Sequence, residues 1–231
     1  ERLAAAARVR PDHPETHYLL GLMQYKRQEY GQAEAEFRAA IAGNQGRFEP
    51  RLGLARVLET SGRIPEARTA YEEAIRRNPS DPALLAEVGK MYFQSSQLPE
   101  ARDWFERALG IDPGHRESLL QIGKLDKMEN RYDAAQASFQ RLVDADPADG
   151  LAWYYLGTVH LDREEYGEAE AALRRSVELE PRNPKAHYSL GQVLAALGRD
   201  AEAEREFDLH RRIMAQMPRI GPVARAEEEE E

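Results

Sequence analysis

Apolar positions along this chain fall three and four residues apart for a dozen or so residues, break at a short polar turn, resume, and break again. Between Gly150 and Asn183, Trp153, Leu156, Gly157 and His160 share one helical face. Asp162 to Glu165 make the polar turn, and Ala169, Leu173, Ser176 and Val177 form a second stripe closed by Glu180-Pro181. This spacing predicts two helices, each with one apolar stripe. The pair then recurs every 34 residues. One column reads Leu20-Gly21, Leu54-Ala55, Val88-Gly89, Ile122-Gly123, Leu156-Gly157 and Leu190-Gly191; a second reads Ala33, Ala67, Ala101, Ala135, Ala169 and Ala203; a third reads Phe37, Tyr71, Phe105, Phe139, Leu173 and Phe207. Periods of this length mean stacked supersecondary units, none of which buries its apolar face alone.

Turn chemistry agrees. Pro65 and Pro99 enter the second helix of their repeats, where a missing N–H costs little. Pro11, Pro79, Pro113, Pro147 and Pro181 stop the preceding helix and reset the chain. Small residues stand where paired helices approach closely, Gly157 against Ala169, with Leu173 filling the gap beside them. The pattern Trp153-x-x-Leu156-Gly157-x-x-His160, then Ala169, Leu173 and Pro181, resembles the tetratricopeptide repeat, with His160 for the usual Tyr and Ser176 for the usual Ala. The resemblance implies an all-α fold, a right-handed superhelical α-solenoid of stacked antiparallel helix pairs. Six repeats are expected, at 14–47, 48–81, 82–115, 116–149, 150–183 and 184–217. Residues 1–13 read as the second-helix remnant of a preceding repeat, and 218–231 as an acidic disordered tail or linker.

One junction departs from the pattern. Gly43-Asn44-Gln45-Gly46 replaces the usual proline, Pro50 enters the next helix in its first turn, and Gly53 and Ala55 stand where a large residue and a Gly are more common. Drift within a degenerate repeat accounts for this; the alternative is a looser or differently angled joint.

Composition sets limits. The chain has no cysteine, which excludes disulfides and thiolate metal sites. No apolar run reaches the eighteen or more residues of a membrane span. Glu1 falls inside a repeat and is not Met, so the sequence reads as a piece of a longer polypeptide; heavy use of Ala, Arg and Glu points to a bacterial source. The net charge is −9, and Glu227–Glu231 carry five of those units, leaving −4. That balance argues against a nucleic-acid partner, which calls for a basic face.

Catalytic motifs are missing: there is no G-x-S-x-G, no Walker-type phosphate loop, no G-x-G-x-x-G and no H-E-x-x-H. Gly89-Lys90 and Gly123-Lys124 are repeat glycines placed inside predicted helices. The six histidines also follow the repeat: His17 and His187 share the Trp153 column, His160 shares the Tyr92 column, His13 and His115 lie in inter-repeat turns, and His210 is on the last helix. No metal site and no cofactor are expected.

Function is therefore expected on surfaces. The family resemblance implies that first helices line a concave face and present ladders of side chains to an extended peptide or a partner helix. There one column reads Leu22, Arg56, Lys90, Lys124, Thr158 and Gln192, with Lys127 one turn from Lys124. Tyr18, Tyr25, Phe93, Tyr154, Tyr155 and Tyr188 lie beside it. The expectation is a groove with a basic centre and aromatic flanks that takes a protein or peptide partner, an acidic or C-terminal carboxylate segment being the ligand that such a strip would suit. Two specialised family sites are not supported. The triplets Tyr18, Leu22, Gly53 and Ala86, Lys90, Gln121 do not complete a chaperone-tail clamp, and no Asn ladder runs through Leu19, Gly53, Glu87, Gln121, Tyr155 and Ser189. The last helix runs on with Leu209, Ile213, Met214 and Met217 and no polar cap after it. It either caps the stack itself or packs against another chain or domain, an end-to-end contact between copies building a filament. The leading expectation is a non-catalytic scaffold or adaptor; the alternatives are a self-assembling structural protein, or the recognition arm of a larger enzyme.

Overall fold

The computed structural model describes residues 13–216 of the 231-residue chain. Over these residues it is all helical: the antiparallel pairs α1 (Pro14–Lys26) with α2 (Tyr30–Gly43), α3 (Glu49–Thr60) with α4 (Ile64–Arg77) and α5 (Pro82–Gln94) with α6 (Leu98–Ile111), then α7 (Arg116–Met128) and α8 (Tyr132–Ala145), then the pairs α9 (Gly150–Asp162) with α10 (Tyr166–Leu179) and α11 (Pro184–Ala196) with α12 (Asp200–Gln216). The chain divides into two compact units, Glu1–Leu125 and Asp126–Glu231. The expected N-terminal remnant (apart from His13) and the acidic tail lie outside the described residues.

Four of the helix pairs are drawn together by a glycine opposite a large side chain, Gly21, Gly89, Gly157 and Gly191. A Cβ added at Gly89 would stand 2.7 Å from the Phe105 ring, one at Gly157 2.7 Å from Leu173, and one at Gly191 2.6 Å from Phe207. Those partners are fully buried at Phe105 and Leu173. The odd junction is packed in the same way. Phe37, 1% exposed, sits between Gly21 and Gly53, and an added Cβ at either would meet its ring within 2.8 Å. Gly53 is thus the seat of an aromatic ring from the preceding pair, which is a stronger account of that position than drift.

The turn that follows each first helix has one geometry. Gln28, Gly62, Ser96, Asn130, Glu164 and Gly198, spaced 34 apart, all hold positive φ, between 59° and 74°. The next residue's N–H returns to a carbonyl five residues back in each case, for example Gln97 to Tyr92 at 2.9 Å and Arg131 to Asp126 at 2.8 Å. This is the Schellman ending of the first helix. Glycine fills it twice; elsewhere a side chain bears the left-handed strain.

Helix starts differ more. Asp81, Asp149 and Asn183 cap α5, α9 and α11 through their side chains, whereas Phe48, before α3, offers no side-chain cap. An ionic cluster stands there instead. Arg47 pairs with Glu15 and with Glu49 (3.0 Å) and lies over the Tyr18 ring, 5.2 Å from its centroid. Arg51, 6% exposed, donates to the Arg47 carbonyl at 2.6 Å.

A second ionic arrangement recurs at four times the period. Arg63 reaches back to Glu34 (2.8 Å) and forward to Glu66, with Arg38 also on Glu34. Arg199 likewise joins Glu170 (2.7 Å) and Glu202 (2.6 Å), with Arg174 on Glu170. Each clasp ties the turn of one pair to the second helix of the pair before it.

Candidate functional site

In the N-terminal unit, the first helices α1, α3 and α5 bring Tyr25, Arg56, Glu59, Thr60, Glu87, Lys90 and Gln94 around one open pocket of about 400 Å³. Three of the residues read from the sequence, Tyr25, Arg56 and Lys90, therefore meet. The Tyr25 hydroxyl lies 3.3 Å from the Thr60 hydroxyl. Both cations turn to one carboxylate: Arg56 Nε is 3.2 Å from Glu87 Oε2, and Lys90 Nζ is 2.5 Å from Glu87 Oε1. Farther along, Lys124 donates to Gln121 at 2.9 Å and stands over the Phe93 ring, 5.1 Å from its centroid. Leu22 packs with Tyr18 and Tyr25 against the buried cluster of Ala33, Phe37 and Val57. Tyr18 contacts Phe37 (ring centroids 6.2 Å apart), and burial pushes its hydroxyl's pKa up, with nearby Glu49 adding to the rise.

Reading the column alone missed Glu87 and Glu59. Glu87 lies three residues before Lys90 on one helix, a spacing at which opposite charges meet, so that signal was present. Glu59 accepts a hydrogen bond from the Tyr71 hydroxyl at 2.7 Å. Tyr71 is fully buried, and that burial, reinforced by the bond to Glu59, pushes its pKa far above the usual phenol value.

In the C-terminal unit, as for Tyr18 on Phe37, the first-helix aromatics pack on neighbouring rings. Tyr155 stacks on Phe139 with ring centroids 5.2 Å apart and planes 15° from parallel, and Tyr154 meets Tyr155 edge-on at 5.0 Å. Burial raises the pKa of both phenols. Tyr188 is 46% exposed, but its ring faces Phe207 at 5.7 Å and His210 at 5.2 Å. Lys127 is held by Asp162 at 2.7 Å. These side chains are engaged chiefly with their own unit.

The histidines are part of the helix packing. His17 and Glu36 meet at 2.7 Å, His187 and Glu206 at 2.6 Å, and His160 and Glu165 at 2.6 Å. His187 Nε2 lies 3.0 Å from the Pro181 carbonyl, and Trp153 Nε1 donates to the Pro147 carbonyl, one repeat earlier, at the same distance. Among the described residues no group of three His, Asp or Glu side chains is placed to hold a metal, and no helix is long and apolar enough to cross a membrane.

On the last helix, Leu209 is 39% and Met214 49% exposed, Ile213 is half-buried, and Met217 lies outside the described residues. The helix has 17 residues against 14 in each of the other second helices.

The family model of the tetratricopeptide repeat matches residues 1–47, 52–116, 127–179 and 156–218, and the chain belongs to that family. No curated protein matches the sequence. Among solved structures, the chain is similar to one in the APC/C hetero-tetramer Cut9-Hcn1, at 16% identity and TM-score 0.76, covering 93% of this chain and 43% of that one. The match thus spans less than half the length of that relative. PilF of Pseudomonas aeruginosa is similar over 90% of this chain and 95% of its own, at 15% identity and TM-score 0.77. YrrB, a repeat protein with an unusual peptide-binding site, is 22% identical over 78% of this chain and 93% of its own, at TM-score 0.62. Identities this low establish the fold: an all-α helical-repeat solenoid of a family whose members are generally non-catalytic protein-interaction scaffolds.

Proposed function

We propose that this chain is a non-catalytic scaffold that docks an extended segment of a partner protein along the first helices α1, α3 and α5. The observation that carries the reading is the polar pocket beneath Tyr25, where three successive first helices contribute side chains to one concavity. A segment lying there meets alternating donors and acceptors, with Tyr25 and Phe93 as apolar contacts. Aromatic anchors supply most of the affinity in such contacts, because exposed ion pairs contribute only about 0.2–1 kcal/mol each. Glu87 between Arg56 and Lys90 balances the positive strip, so the proposal is for a segment of mixed polarity rather than a wholly acidic one.

Selection of phage-displayed random peptides on the full chain tests this. Selected peptides should bind about tenfold more weakly to Lys90→Glu, a loss of roughly 1.4 kcal/mol, and lose further affinity with Phe93→Ala. Peptides indifferent to both substitutions would move the site elsewhere.

A second reading, self-association through α12, rests on the exposure of Leu209 and Met214. Light scattering over a wide concentration range decides it: a rising mass supports the contact, and a constant mass of one 26.2 kDa chain ends it.

A further inference from the structure

Two columns of the repeat are broken in the same helix pair, and the two departures touch. Down the sequence the large core position reads Phe37, Tyr71, Phe105, Phe139, Leu173 and Phe207, so Tyr71 alone adds a hydroxyl. One column of the first helices reads Tyr25, Glu59, Phe93, Lys127, Leu161 and Ala195, so Glu59 alone is acidic. The Tyr71 hydroxyl, carried by a fully buried residue, needs an acceptor, and Glu59 Oε2 provides it at 2.7 Å. The bond runs from the core to the pocket wall and fixes the carboxylate at its inner oxygen.

The neighbouring bases do not compete for Glu59. Arg56 is one turn before it on α3 but turns to Glu87, as does Lys90. The Glu59 carboxylate has no hydrogen-bond or ion-pair partner besides Tyr71 among the described residues. It therefore offers the pocket a positioned acceptor while the two bases share another acid.

We infer that Glu59, held by Tyr71, is a specificity-determining residue that receives a lysine or arginine side chain of the docked segment; this rests on the docking reading above. A charged donor is favoured over a backbone N–H because ion-assisted hydrogen bonds are about twice as strong as neutral ones. Fixing the carboxylate beforehand removes ordering cost on binding. Arg56 and Lys90, as donors, then face the backbone carbonyls of the same segment.

The test uses the full chain and phage-displayed random peptides, selected once on the native sequence and once on Glu59→Gln. Peptides from the native selection should be enriched in Arg or Lys and bind Glu59→Gln about tenfold more weakly, the loss expected for one charged hydrogen bond. Tyr71→Phe should weaken them by a smaller factor while leaving thermal unfolding cooperative, since phenylalanine already fills this position in four other pairs. Peptides without basic residues that remain sensitive to Lys90→Glu but not to Glu59→Gln would overturn the inference and leave the docking reading intact. Failure to select any peptide that senses Lys90→Glu or Phe93→Ala would overturn both.

Discussion

The first helices of the two units share a period, a turn geometry and a glycine-to-ring contact, yet they spend their side chains differently. In the N-terminal unit Arg56, Glu59, Glu87, Lys90 and Gln94 leave a pocket lined by charged and polar atoms. In the C-terminal unit the corresponding helices carry Tyr154, Tyr155 and Tyr188, whose rings lie on Phe139, Phe207, His210 and each other. A repeat sets where a column points, but the residues beside it decide whether that column recognises a partner or packs. An aromatic ladder in sequence is thus not by itself a binding ladder.

The largest effect that separates the two is expected at Phe139. Phe139→Ala removes a fully buried ring and the platform of Tyr155, costing about 3–5 kcal/mol of stability. Urea unfolding followed by tyrosine fluorescence would measure it, and peptide binding to the N-terminal pocket should be unchanged at denaturant-free temperatures where the protein stays folded. Conversely, Lys90→Glu should lower peptide affinity by about tenfold yet shift stability by less than about 1 kcal/mol, since it exchanges one partly exposed pair with Glu87 for one like-charge contact. If Phe139→Ala proved mild and Lys90→Glu unfolded the protein, the assignment of packing and recognition to these regions would be reversed.

A smaller effect tests whether the two clasps are equivalent. Hydrogen bonds from Arg63 hold Glu66 below the usual carboxylate range, and those from Arg199 do the same for Glu202. For Glu170, burial pulls upward, but hydrogen bonds from Arg174 and Arg199 outweigh it and its pKa is lowered. Carboxyls with depressed folded-state values stabilise the fold above their unfolded pKa and lose that contribution as pH falls through the folded value. Arg63→Met and Arg199→Met should each flatten the acid side of the stability profile below about pH 4.5, Arg199→Met the more, since its clasp holds two depressed carboxylates against one. Thermal melts across that range would show the difference.

The smallest effect is a gain. Gln28→Gly in one unit and Glu164→Gly in the other relieve positive φ at 62° and 60°, and each should stabilise by up to about 1 kcal/mol, read as a shift in urea midpoint. Unequal gains would show that the common turn carries different strain in the two units.

Much of the fold was legible because the period is carried by residues with steric duties. Gly89, Gly157 and Gly191 announce close approach, Pro65 and Pro99 announce helix entry, and Ala101 and Ala169 leave room for the paired helix. The left-handed turn was only partly legible: Gly62, Gly198 and Asn130 are residues that favour positive φ, but Gln28, Ser96 and Glu164 are not. Gly53 read as drift because its partner, Phe37, comes from the preceding pair. At the candidate site, Arg56 and Lys90 were visible down one column; Glu87 was signalled by its spacing to Lys90, but its contact with Arg56, from the preceding first helix, was hidden. Tyr71 was equally hidden, since in an aromatic column its ring is interchangeable and only its hydroxyl carries the contact to Glu59.

Hydrogen exchange measured on the full chain with and without a selected peptide tests the division of labour most directly. Slowed exchange in α3 and α5, residues 49–60 and 82–94, with α9 and α11 unchanged, is the expected result. Protection confined to α9 and α11 would contradict it and return recognition to Tyr154, Tyr155 and Tyr188.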